Sequence, residues 1–103
     1  MKSGTLLAVL ISTLCCGTAA SAAQVTFASW GGAWQDAQET TAAKPFAAQS
    51  GVQVKTDTYN GGIAQLRSQV QTNNVTWDVV DMQLADAIRA CDEGLLEKVN
   101  PAT

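Results

Sequence analysis

Residues 24–57 read QVTFASWGGAWQDAQETTAAKPFAAQSGVQVKTD, two alternating segments on either side of an alanine-rich one. Residues 24–28 alternate, with Val25 and Phe27 apolar, and predict a first strand near 24–29. Gly31 and Gly32 end it. From Ala33 to Ala43 the chain is alanine-rich, with Trp34, Ala37 and Thr41 at helical spacing. Pro45 cannot donate a backbone hydrogen bond and disfavours helix at Lys44, so a kink or a fresh start is expected there. The helical composition then runs on to Gly51, a residue suited to ending a helix. Residues 52–57 are β-branched and alternating, the cleanest strand in the chain.

The same alternation continues outward. Ile63, Leu66 and Val70 give a second helical stripe. Residues 77–82 (WDVVDM) predict a third strand, apolar enough to be buried. Leu84, Ile88, Cys91 and Leu95 give a third helical stripe, near which Gly94 predicts a stop. Strand and helix alternating three times argue for a parallel sheet with helices on its faces. Asn74-Val75-Thr76 matches a glycosylation sequon, a pattern too short to carry weight.

Working back to the N-terminus, residues 1–22 hold Lys2, an apolar run from Leu6 to Cys16, and small residues ending in Ala20-Ser21-Ala22. This pattern is expected of a cleaved export signal. The run is shorter than the roughly 20 apolar residues that span a bilayer. Cys15 and Cys16 raise lipidation as the rival, but the residues before them lack the usual leucine-x-small pattern. Residues 23–103 retain one cysteine, Cys91, which is either buried and free or paired outside that stretch.

Composition excludes several function classes. The chain of 103 residues has nine acidic and six basic side chains. One of the six, Lys2, lies in the signal. A mildly acidic chain is a poor match for nucleic acid or an anionic membrane surface. Histidine is absent, which removes the commonest general base and metal ligand. No nucleophile elbow, P-loop or dinucleotide fingerprint occurs. An enzyme is not expected, and neither is a metal or cofactor.

Three stretches carry a family resemblance: SWGG at 29–32, FAAQSGVQV at 46–54 and WDVV at 77–80. Behind an export signal, this succession resembles the extracellular solute-binding proteins of ATP-driven importers, nearest the spermidine/putrescine-binding branch. The resemblance implies an α/β fold of the type II periplasmic-binding-protein kind, with residues 23–103 as the N-terminal part of its first lobe. It implies a three-stranded parallel sheet with flanking helices and the first strand central. It also implies a periplasmic receptor that captures a small cationic solute, such as a polyamine, and hands it to importer permease subunits. A different solute, or a small secreted interaction module, is the alternative.

In such folds the loops at the carboxyl ends of strands meet the ligand. The resemblance therefore assigns Ser29, Trp30, Gly31, Asp81 and Gln83 as candidate solute contacts. Three of them have a plainer reading. Trp30 lines the cleft or packs in the core or at a hinge. Asp81 binds an amine, caps the helix that follows or joins a salt bridge. Gln83 bonds to ligand or to its own loop. Trp34 is expected to pack onto the sheet, and Tyr59 and Asn60 to form a turn. Asp78 reads as structural, and Asp36, Glu39, Asp92 and Glu93 as solvated helix faces.

Overall fold

The computed structural model describes residue 17 and residues 23–102. The export-signal expectation, with Cys15 and Cys16, falls outside them apart from Gly17. The elements run β1 (Gln24–Ser29), α1 (Gly32–Gln38), a π-helical stretch (Glu39–Ala43) and α2 (Lys44–Ser50). They continue with β2 (Gln53–Thr58), α3 (Ala64–Gln71), β3 (Val79–Val80) and α4 (Leu84–Asp92).

All three strands are parallel, in the order β2-β1-β3, so β1 is central as expected. Val25 sits beside Val54, and Phe27 lies between Thr56 and Val79. The third strand is shorter than the sequence implies. Asp78 nevertheless continues its line, giving its N–H to the Thr26 carbonyl and taking the Thr26 N–H on Oδ2 at 2.8 Å. Asp78 is thus a strand-pairing residue. One step past β3, the Asp81 N–H bonds to the Ala28 carbonyl, and this sets Asp81 beside the end of β1.

Pro45 does not break its helix. A proline in an α-helix leaves the carbonyl four residues back without a donor and crowds it. Here the turn before it widens into the π-helical stretch Glu39–Ala43, and α2 continues to Gly51 in the left-handed conformation (φ 72°). The Thr41 hydroxyl donates to the Ala37 carbonyl at 2.7 Å within the same turn.

The two faces of the sheet are filled differently. Ala28 faces a core of Tyr59, Ile63, Leu66, Trp77 and Ala90, with Val70, Val80, Met82 and Leu95 against it. This is the side of α3 and α4. Tyr59 and Trp77 lie with ring centroids 5.0 Å apart, and the Trp77 indole donates to Asp57 Oδ2 at 2.7 Å. On the opposite face Val25, Phe27, Val54 and Val79 look toward Ala42, Ala43 and Phe46 across an apolar groove. The stripe Ile63, Leu66, Val70 is inward, as the sequence implies.

The α4 stripe is a correction. Leu84 and Ile88 are 76% and 55% exposed, and Cys91 is an exposed free thiol. The inward residue of α4 is the fully buried Ala90, with Ala87 half-buried. Small side chains let this helix lie close to the core, so the large apolar positions turn outward. Beyond α4, Arg67 makes a bidentate pair with Glu93, both nitrogen–oxygen distances being 2.8 Å. Hydrogen bonding by that guanidinium holds the Glu93 carboxyl below the usual carboxylate range. An exposed thiol reacts without unfolding, so native Cys91 is expected to be labelled rapidly by a maleimide. Labelling limited by the unfolding rate would contradict this placement.

Candidate functional site

The loop after β1 leads to α1 on one face of the sheet, and the loop after β3 leads to α4 on the other. These two strands are neighbours, so their carboxyl ends flank the crevice where open α/β sheets bind ligands. Trp30, Gly31, Trp34, Asp81, Met82 and Gln83 line a recess of about 530 Å³ there. Four of the five sequence-assigned residues are therefore brought together.

Asp81 is the centre of the arrangement. Its backbone carbonyl accepts from Trp30 Nε1 at 2.9 Å and from the Tyr59 hydroxyl. Its Oδ2 accepts from Trp34 Nε1 at 2.6 Å and from Gln38 Nε2 at 3.0 Å. Hydrogen bonds to an ionised acceptor are among the stronger ones. No described residue donates to Oδ1. Asp81 does not cap α4: the cap position is Gln83, and no side chain caps that helix.

Trp30 is held on three sides. Its ring stands edge-on to Tyr59, with centroids 6.2 Å apart and planes at 74°, a favoured aromatic geometry. It also lies over Gly61, where a Cβ would stand 3.4 Å from Trp30 Cη2. At 38% exposure it still lines the recess. Tyr59, 3% exposed, is a pillar rather than a simple turn residue. Burial raises its phenol pKa above the ordinary value.

Trp34 departs from the expected packing onto the sheet. It is 62% exposed and bonded to Asp81 instead of lying on the sheet. A side chain in the first helical turn leans back toward the N-terminus, which here means over the strand ends. Trp34 and Gln38 are also one turn apart, so their donors reach the same oxygen.

Ser29 takes a different place from the other four. It is fully buried, and its hydroxyl donates to Gln38 Oε1 at 2.5 Å. Gly31 adopts φ 78°, ψ −176°, a region that essentially only glycine enters. Its N–H is occupied by Gln35 Oε1 at 2.9 Å, which also takes the Thr58 hydroxyl. The other end of that amide donates to Glu39, holding its carboxyl below the ordinary range. The Gly31 N–H is thus committed inside the loop. Gln83 is exposed at the rim.

The recess is lined by two indoles and one carboxylate, and no basic side chain lines it. Such a surface attracts a cation. Among the described residues no group of acidic and sulfur side chains is arranged to hold a metal.

A family model for bacterial extracellular solute-binding proteins matches residues 41–103. The chain is 41% identical over 83 residues to a gamma-aminobutyric acid-binding protein of Pseudomonas aeruginosa, covering 81% of this chain and 24% of that protein. Among solved structures it is similar to the PBP MotA of A. tumefaciens B6 in complex with glucopine. There the TM-score is 0.72 at 37% identity, covering 76% of this chain and 24% of the other. A GABA receptor structure has the same TM-score at 39% identity, covering 77% and 24%. This chain thus spans about a quarter of the length of these relatives. None of the three bears the name of a polyamine, so the polyamine branch finds no support among them. The sheet order, the recess at the strand ends and the family match converge: the chain belongs to the bacterial extracellular solute-binding proteins.

Proposed function

We propose that this chain supplies the first-lobe wall of a periplasmic receptor for an ATP-driven importer. In this reading the recess takes the ammonium end of a small organic solute. The observation that carries it is the anchoring of both indoles on Asp81, through Oδ2 and the backbone carbonyl. Two aromatic faces beside one carboxylate suit an alkylammonium, and such contacts strengthen when a closing site excludes water. Trp30, Gly31, Trp34, Asp81, Met82 and Gln83 form this wall, with Ser29 beneath it.

The relatives' names supply the second constraint. γ-Aminobutyrate carries one ammonium and one carboxylate, and the lining here suits only the former. The carboxylate of such a solute would be held by residues outside the recess. A polyamine, with an ammonium at each end, is the second reading, favoured by the same acidic and aromatic lining. Permease subunits are the expected partners, and no catalytic step is assigned.

The test is titration calorimetry on the complete mature gene product with γ-aminobutyrate, glucopine, putrescine and amine-free butyrate. At least one amine-bearing solute should bind, and butyrate should not. Equal affinity for butyrate and γ-aminobutyrate would refute the ammonium assignment. Tight binding of putrescine alone would select the polyamine reading.

A further inference from the structure

Gln38 lies below the recess, between its floor and the apolar groove on the α1–α2 face of the sheet. It belongs to neither loop that the strand ends present. Its chemistry is nonetheless fixed from both sides. A carboxylate only accepts hydrogen bonds, so the amide must turn Nε2 toward Asp81 Oδ2, at 3.0 Å. That leaves Oε1 facing the fully buried Ser29, whose hydroxyl must then be the donor, at 2.5 Å. The chain Ser29 to Gln38 to Asp81 therefore has a single direction. Trp34 Nε1 completes the pair of donors on Oδ2.

We propose that Gln38 is a positioning residue of the solute site. With Trp34 it occupies Oδ2 of Asp81 and leaves Oδ1 as the oxygen that accepts from the solute's ammonium. Ser29, assigned from the sequence as a solute contact, acts through Gln38 and not on the solute. This rests on the ammonium reading of the recess. Without Ser29 the amide still turns Nε2 to the carboxylate, but its buried Oε1 loses its donor and the side chain is held from one side only. Without the Gln38 donor the carboxylate is held on Oδ2 by Trp34 alone. Either change weakens solute binding without altering any residue that lines the recess.

The experiment is a double-mutant cycle on the complete mature gene product, using Ser29→Ala, Gln38→Met and the double variant, with Asp81→Asn alongside. The probe is whichever of γ-aminobutyrate, glucopine and putrescine the native protein binds most tightly. Thermal unfolding checks that each variant is folded. Gln38→Met should bind the probe about tenfold more weakly, the scale of one hydrogen bond to a charged group. Ser29→Ala should lose several-fold, and the double variant should lose no more than Gln38→Met alone, because both act through one relay. The Trp34 indole N–H resonance, assigned by its loss in Trp34→Phe, should shift in Gln38→Met. A solely packing role for Gln38 would leave that resonance in place and make the two losses additive, which overturns the proposal. If Gln38→Met fails to fold, Ser29→Ala with unchanged affinity and an unchanged Trp34 resonance overturns it equally. Asp81→Asn separates the two levels. Lost binding in Asp81→Asn with native binding in Gln38→Met rejects the relay and keeps the ammonium site. Native binding in Asp81→Asn, or no binding of any probe by the native protein, rejects both.

Discussion

Replacing Asp81 by asparagine should weaken binding of an amine-bearing solute by about 100-fold, or roughly 3 kcal/mol, while the protein stays folded. The substitution retains most of the local hydrogen bonds. An asparagine oxygen can still accept from Trp34 and Gln38 in place of Oδ2, and the backbone carbonyl still takes Trp30 and Tyr59. The local frame therefore survives. The second oxygen is replaced by an NH2 group, a donor that faces the solute's own donors, and the negative charge is gone. Titration calorimetry reads the loss, and a thermal scan verifies the frame. A variant with native affinity would remove Asp81 from the site, however well the recess is formed.

Gly31→Ala should have the largest effect on stability, roughly 2–4 kcal/mol of destabilisation. Two causes act together. At φ 78°, ψ −176° a side chain is strained whatever surrounds it. A Cβ at Gly31 would also stand 3.0 Å from Thr58 Cγ2, on the neighbouring strand end. Thr58 and the Gly31 N–H share Gln35 Oε1, so a shift of either disturbs the other. Urea unfolding of the complete gene product measures the change. Gly32→Ala is the comparison: it has positive φ but nothing within 4 Å of a new Cβ, so its cost is limited to roughly 1–2 kcal/mol of backbone strain. Equal destabilisation by the two substitutions would show that the Thr58 contact is not what constrains the loop.

Much of this arrangement is visible in the chain before it folds. Alternation at 24–28 and 52–57 gives two strands, and the helical stretch between them gives their parallel relation. The central place of β1 came from the family resemblance, and the sheet bears it out. The loops at the strand ends were legible for the same reason, which is why Trp30, Gly31, Asp81 and Gln83 fall in one recess.

What was not legible depends on direction and distance. Trp34 was placed by its helical spacing, which says which residues share a face but not where the first turn points. Cys91, Ile88 and Leu84 do share a face, yet Ala90 lies against the core because a small residue permits closer approach. Pro45 signals an interruption, and spacing alone does not separate a break from a widened turn. Gln38 carries no sequence signal at all. Its role exists only because β3 brings Asp81 back across 43 residues to meet it.

A crystal structure of the complete gene product with its solute bound decides whether Asp81 and the two indoles hold an ammonium. An ammonium nitrogen is expected between the indoles of Trp30 and Trp34, about 2.7–3.2 Å from Asp81 Oδ1. A carboxylate group in that recess, or a solute held without contact to Asp81 and the two indoles, would contradict it.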